Sequence, residues 1–575
     1  MVYWGYMALP DDLRWFEQYK TTAAYARLRE RPIAYFCAEF ALKDGLPTYA
    51  GGLGVLAGDI IRESADRGMP MVGVGLMYRK GYVCSYREYE GAFVEACTET
   101  DPEQLGLKLA TGPDGKPLVI QVPLRDRTIA VHAWRMDIGA ADQGPQVSVY
   151  LLDTDLQENT EGDRRITDRL YVGDKEVRLQ QELVLGIGGL RFLEALGIHP
   201  STYHLNEGHS AFLALELIRH QMQERSISFD EAQQFARRRI VFTNHTLLPA
   251  GNEIYDNDLV SLMIGPYCEK LGVPVQKAVA LGLVHESSTF SMTMLSMRIA
   301  SIINGVSKTH AKKAREVWAN HPMTGIANGV RISSWDALGA EDIEPPGAMW
   351  EAHRERKQAL LKFVQDTAGR TWPADALLLG WARRITGYKR PLAILENVQR
   401  FAAMARANDR PVRLLIAGQP HPGDEDGNAM LTKLRSLTEG EVKDVACYIP
   451  EYSLQEGQLM TAGCDVWLNT PIVGFEASGT SGMKAALNGV LPCSTRDGWV
   501  ADAELFGVGW LIDTNRVTED LLDVLERDII PLYYQRSANG VPDGWERHMR
   551  NARSMVKNQF SATRTLREYV ELLYS

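Results

Sequence analysis

Ala376-Leu-Leu-Leu-Gly-Trp381 and Val412-Arg-Leu-Leu-Ile-Ala417 are short apolar runs, each followed by an amphipathic stretch, Pro391 to Ala407 and then Asn428 to Thr438. Apolar runs of strand length alternating with helix-length periodic runs mark parallel strands buried on both faces. The alternation continues through Val445-Ala-Cys-Tyr-Ile449, Leu454 to Ala462, Asp465-Val-Trp-Leu-Asn469, the segment holding Lys484, and Val490-Leu-Pro-Cys-Ser494. It predicts a doubly wound parallel sheet, whose ligands belong at the carboxyl ends of the strands.

Working outward, Ile33-Ala-Tyr-Phe-Cys-Ala-Glu-Phe40, Met71-Val-Gly-Val-Gly-Leu-Met-Tyr78 and Arg239-Ile-Val-Phe-Thr-Asn-His245 each read as a strand ending in polar or glycine residues, so a second α/β domain is expected. Glu344-Pro-Pro-Gly347 and a charged helix from Glu351 to Gln365 separate the two patterns. The expected division is an N-terminal domain over 1–335, a connection over 336–372 and a C-terminal Rossmann-like domain over 373–575, its last helix a candidate to pack back on the first. Two such domains facing each other imply a cleft.

The chain of 575 residues, 45% hydrophobic and 23% charged, is long enough for two or more cores. Its formal charge of −11 argues against nonspecific nucleic-acid binding and for a metabolite as partner. Seven scattered cysteines show no CxxC pair and no spacing that suggests a metal, so they read as reduced and mostly core. Met1 to Asp12 carries acidic residues where a signal peptide would be positive, and no stretch has membrane-spanning length. The expectation is a cytoplasmic enzyme with no membrane partner.

Four constellations carry chemistry. Tyr49-Ala-Gly51-Gly52-Leu-Gly54 to Asp59 is a glycine-rich loop entering a helix, where bare amides can approach an anion; its bland reading is a tight packing turn. Arg383, Arg384, Lys389 and Arg390 follow a strand at the expected start of the Pro391 helix, where they would oppose the helix dipole unless an anion lies between them. His204-Leu-Asn206-Glu207-Gly-His209 and Thr243-Asn-His245-Thr-Leu-Leu-Pro249 lack the HExxH spacing of a zinc helix, so no metal is expected. His204 reads as readily structural as catalytic, and neutral His245 suits a sugar hydroxyl. Finally, Glu476-Ala-Ser-Gly-Thr-Ser-Gly-Met-Lys484 sets one lysine behind a carboxylate and a run of small hydroxyl residues. A desolvated lysine there is a candidate Schiff-base nucleophile, and the first candidate cofactor is pyridoxal phosphate.

Taken with Leu170-Tyr, Arg178-Leu-Gln-Gln-Glu182, Asn304-Gly-Val-Ser307 and Ala327-Asn-Gly-Val330, these motifs run from about residue 33 to 500 in the order of the α-glucan (glycogen, starch or maltodextrin) phosphorylase family, which the chain resembles in a short form. The resemblance implies a GT-B architecture, two doubly wound Rossmann-like domains facing across a cleft. It also implies reversible, retaining phosphorolysis of an α-1,4-glucan by inorganic phosphate to glucose 1-phosphate. By the same resemblance Lys484 would carry pyridoxal 5'-phosphate, whose phosphate rather than ring acts as proton donor and acceptor.

Carried over residue by residue, Arg384 and Lys389 would hold the substrate phosphate with help from Gly51 and Gly52, while Arg383 would face the cofactor phosphate. Glu476, Ala477, Ser478 and Gly479 would bind glucose hydroxyls, with Asn328 and His245 completing the pocket, and Thr480 and Tyr452 would lie beside the cofactor. No carboxylate nucleophile is expected at the anomeric carbon. A homodimer is an option that the resemblance leaves open. Two positions depart from the family's pattern: Ser453 stands where an arginine is expected and Ala41 where a tyrosine is. The alternative reading is a GT-B glycosyltransferase that uses a nucleotide sugar without pyridoxal phosphate, because a sugar 1-phosphate and a nucleotide sugar present similar anions.

Overall fold

A computed structural model describes residues 11–82, 85–89, 92–96, 99–139, 146–247, 252–284, 288–339, 343, 345–421, 423–450, 452–538 and 540–574. The readings of Met1 to Pro10, of Leu248-Pro249 and of Glu344 lie outside the described residues, as do Cys84 and Cys97. Two compact units are present. One comprises Met1–Val306, Ala314–Ile326 and Thr563–Ser575; the other comprises Ser307–Lys313 and Ala327–Ala562.

In the second unit six parallel strands lie in the order Ala446–Ile449, Val412–Ala417, Leu377–Ala382, Val466–Asn469, Leu491–Thr495 and Trp510–Ile512. Leu377–Ala382 is buried throughout, as expected of a strand covered on both faces. Numbered along the chain the order is 3-2-1-4-5-6, so the winding reverses between Leu377–Ala382 and Val466–Asn469. Such a reversal is where open α/β sheets bind ligands, beyond the carboxyl ends of the strands.

Pro391 to Ala407 is not one helix. A 3₁₀ turn covers Ala393–Leu395, and the helix proper is Val398–Ala405, capped by Asn397, whose side chain accepts the Arg400 amide at 3.2 Å. The cations from Arg383 to Arg390 therefore do not stand at a helix N-terminus, and the dipole argument for them falls. The reversal of strand order positions them instead.

The Ala348–Ala368 helix, read as part of a connection, groups with the second unit. Buried Lys357 on this helix reaches Asp465, just ahead of the Val466–Asn469 strand, at 2.5 Å, and His353 one turn earlier reaches the same carboxylate at 3.0 Å.

The first unit repeats the scheme. Its parallel strands run Thr324–Gly325, Ile302–Gly305, Ile240–Asn244, Thr202–Asn206, Ile33–Phe36, Met71–Leu76 and Val147–Asp153, reversing between Ile33–Phe36 and Thr202–Asn206. Arg127–Ile138 then adds antiparallel to Val147–Asp153, so the sheet is mixed at that end. Cys37, Cys268, Cys447, Cys464 and Cys493 are buried free thiols. Among the described residues no helix is long and apolar enough to cross a membrane.

His204 resolves as structural. Its Nε2 lies 2.7 Å from the Thr243 hydroxyl and its Nδ1 2.6 Å from the Tyr574 hydroxyl. Because Thr243 Oγ1 donates to Asn304 Oδ1 at 2.7 Å, it accepts from Nε2–H, which leaves Nδ1 to accept from Tyr574. Burial pushes the imidazole pKa down to about 3, so the ring is neutral. Tyr574→Phe removes one donor and strands a buried nitrogen. It is expected to destabilise this unit by about 1–3 kcal/mol in chemical denaturation.

Candidate active site

In the second unit the predicted residues from Arg383 to Arg390 and around Glu476 lie on the two loops at the strand reversal. These loops are tied together: Thr470 Oγ1 donates to the Lys389 and Arg390 carbonyls at 3.0 and 3.1 Å, and the Ile472 amide donates to the Tyr388 carbonyl at 2.8 Å. The connection delivers the cations to a carboxylate. Lys389 Nζ lies 3.2 and 3.4 Å from the two oxygens of Glu476, and Arg383 Nη1 lies 3.6 Å from one of them. Burial raises the Glu476 pKa, but Lys389, Arg383 and Arg384 together outweigh it and hold the group below its ordinary value. Arg390 faces elsewhere, donating to the Thr514 carbonyl at 2.7 Å.

The Glu476 loop folds back on itself. Gly479 has φ +77°, and a Cβ there would stand 3.1 Å from Glu476 Oε1, so only glycine lets the carboxylate lie over its own loop. Ser478 is buried, and its hydroxyl has no hydrogen-bond partner among the described residues. Such an orphan costs free energy unless a ligand hydroxyl completes it. The Ala477 carbonyl accepts from Ser307 Oγ at 3.1 Å.

Thr480 then starts the helix Thr480–Leu487, which carries Lys484. Lys484 is only 6% exposed, and its ammonium stands 3.9 Å from the Trp335 ring centroid. Asn488 holds that ring in place, donating to the Trp335 carbonyl at 2.8 Å and the Lys484 carbonyl at 3.0 Å while accepting the Ala337 amide at 2.8 Å. Tyr452 lies against Gly457 ahead of the Leu454–Gly463 helix, and Asn328 is buried in the same unit.

The remaining predicted residues belong to the first unit. Gly51 and Gly52 begin the Gly52–Asp66 helix, with open space where a Cβ would project, but the Gly51 amide already donates to Glu39 Oε2 at 3.2 Å, beside Ala50 at 2.7 Å. Tyr171 donates to the other Glu39 oxygen. His245 Nε2 lies 2.7 Å from Asn206 Oδ1, and its amide donates to Glu207 Oε2 at 2.9 Å.

Glu207 adopts φ +75°, a conformation rarely held by a residue with a side chain, and burial raises its pKa to about 7. Sequence reasoning gave no role to Glu39 or Glu207. Each directly follows or lies just beyond a core strand at the reversal point, and that position was a usable signal.

The family described as carbohydrate phosphorylase matches this chain over residues 198–321 and 339–506. A maltodextrin phosphorylase of Thermococcus litoralis is 35% identical, the match covering 95% of this chain and 71% of that protein. A glycogen phosphorylase of Aquifex aeolicus is 32% identical over 96% of this chain and 87% of its own length. The chain belongs to the carbohydrate phosphorylase family. An uncharacterized protein of Methanocaldococcus jannaschii, 30% identical, is matched over 95% of this chain and 100% of its own length, so a relative of similar extent exists.

Phosphorylases have the GT-B fold and use pyridoxal phosphate, and the second unit fits such a group. Arg383 is buried, yet its Nε and Nη1 have no hydrogen-bond partner among the described residues, and Nη2 reaches only to 3.5 Å from Ser481 Oγ at the helix start. A buried guanidinium with unused donors beside a helix N-terminus suits a phosphate. The Ser453 departure also has a local explanation in this phosphorylase. Its hydroxyl accepts the Gln455 amide at 3.1 Å and its amide donates to Glu456 Oε2 at 2.8 Å, so it caps its own helix and supplies no cation. Ala41 is buried, its amide donating to the Gly54 carbonyl at 2.9 Å.

Proposed function

We propose that this chain is an α-1,4-glucan phosphorylase, releasing glucose 1-phosphate from the non-reducing end of a glucan with retained configuration. The observation that carries the reading is the convergence of Lys389 and Arg383 on Glu476, one helix start away from buried Lys484. Family membership does not favour the nucleotide-sugar alternative.

In this reading Lys484 holds pyridoxal phosphate, with Arg383 and Thr480 at its phosphate and Tyr452 beside it. That group supplies a phosphate able to give and take a proton next to the substrate phosphate. Arg384 and Lys389 bind inorganic phosphate; Lys389 already faces one anion, Glu476, so it can bridge the sugar-binding loop and the phosphate. Glu476, Ser478 and the backbone at Ala477 and Gly479 take glucose hydroxyls, and Asn328 and His245 complete the sugar pocket. Asn206 fixes the His245 ring so that it presents one orientation. Gly51 and Gly52 leave open space at a helix start where an anion can approach the backbone, although the Gly51 amide is already held by Glu39. Cleavage through an oxocarbenium-like state gains from an anion fixed near the anomeric carbon.

Arg384→Ala is expected to lower phosphate-dependent release of glucose 1-phosphate from maltodextrin by about 10²–10³-fold while pyridoxal phosphate content is retained. Unchanged dependence on phosphate in that variant removes Arg384 from the site.

A further inference from the structure

We propose that Asp497 is a positioning residue for the sugar-binding loop, acting through Glu476; the catalytic meaning of this rests on the phosphorylase reading. Asp497 lies just beyond the Leu491–Thr495 strand and is buried. A single oxygen, Oδ2, accepts the amides of three successive residues, Gly474 at 2.8 Å, Phe475 at 3.1 Å and Glu476 at 2.9 Å. Three consecutive amides turn toward one point only when the backbone forms a concave nest, and Gly474 at φ +105° makes that turn. The anion that fills this nest is the protein's own carboxylate.

The same short segment grips the loop further on. The Trp499 amide donates to the Ser478 carbonyl at 2.8 Å, and Gly498, at φ +56°, lies so close to that carbonyl that any Cβ would collide with it. Gly482, in the helix that carries Lys484, packs so closely that a Cβ there would meet Trp499 Nε1 at 2.9 Å. Residues 497–499 thus hold the peptides on both sides of Glu476, and the carboxylate facing Lys389 and Arg383 inherits its position from them. Without the Asp497 carboxylate, the Gly474 and Glu476 amides point at one partly enclosed spot that holds no acceptor, and the Phe475 amide keeps only the Ile472 carbonyl, at 3.1 Å. The loop must then rearrange, carrying Glu476 and Ser478 away from the sugar.

The test uses the full chain with its cofactor. Hydrogen exchange is followed at the amides of 474–476 in wild type, Asp497→Ala and Asp497→Asn, and phosphorolysis of maltodextrin is measured on the same samples. In Asp497→Ala, exchange at these amides is expected to quicken by about tenfold or more, and kcat/KM for the glucan to fall by about 10²-fold, the cost of a misplacement near 1 Å. Asp497→Asn keeps one carbonyl acceptor and is expected to fall between the two. In a Glu476→Gln background Asp497→Ala is expected to cost little more, because both changes remove one function.

Unchanged exchange overturns the proposal. So does a lower Tm with kcat/KM intact, or full additivity with Glu476→Gln. If Glu476→Gln alone leaves phosphorolysis untouched, the sugar-site reading fails, while the exchange data still decide whether Asp497 holds the loop.

Discussion

Wild-type protein reduced with borohydride is expected to carry a pyridoxyl group on Lys484, found by mass spectrometry on the peptide containing that residue, and Lys484→Ala is expected to carry none. Glucose 1-phosphate production in that variant should fall by at least about 10³-fold, the scale of removing a group on which the chemistry depends. Loss of fold is not the expected cause. The ammonium stands 3.9 Å from the Trp335 ring centroid, and giving up a desolvated cation–π contact costs about 2 kcal/mol, less than the 5–15 kcal/mol by which a domain is usually stable. A pyridoxyl adduct on a different lysine, or full activity without Lys484, would sink the cofactor assignment.

The second large effect is on stability. Asp465 is fully buried and accepts from Lys357 Nζ at 2.5 Å, His353 Nε2 at 3.0 Å and the Leu378 amide at 2.7 Å, while Lys357 also donates to the Ala376 carbonyl at 2.5 Å and the Tyr533 hydroxyl at 2.8 Å. Asp465→Ala leaves a buried ammonium without its counterion and is expected to destabilise the second unit by about 3–5 kcal/mol. Replacing both partners, Lys357→Met with Asp465→Leu, should recover part of that loss, because the desolvation penalty disappears with the charges.

The pH dependence follows from sign. Burial pushes the Asp465 carboxyl up, but Lys357 and His353 more than offset this and hold it below its ordinary value. A depressed folded-state pKa stabilises above the unfolded carboxylate range and is lost as pH falls through the folded value. The stability gap between wild type and Asp465→Ala, read by thermal unfolding, should therefore narrow in acid. A gap that widens in acid contradicts the pairing.

The particular elements show where sequence reading succeeds. Val412–Ala417 is the strand its apolar run predicted, and Leu454–Gly463 begins where Ser453 and Glu456 form a capping box. Pro391 to Ala407 failed as one helix because apolar periodicity continues through a 3₁₀ turn before Asn397 caps the true start. The cations beside it were legible as a cluster, but the argument from a helix dipole was not. What brings them to Glu476 is strand order, and no local pattern encodes strand order.

Asp497 was passed over because its partners are backbone amides of residues 21–23 positions earlier, and an amide carries no residue identity to read. The same holds for Glu39, whose role appears only once the Ala50 and Gly51 amides are seen to point at it.

By itself the sequence determined the two parallel α/β patterns, the family and the residue types needed for anion, sugar and lysine chemistry, because periodicity and motif identity are local properties of the chain. Tertiary structure alone decided that Lys389 is held by Glu476, that Arg390 belongs to Thr514, that His204 is a buried structural neutral ring, and that the Asp497 carboxylate, just beyond the next strand, accepts the amides of Gly474, Phe475 and Glu476. Those facts depend on which distant backbone and charged groups meet out of water, where their hydrogen bonds and charges are least screened.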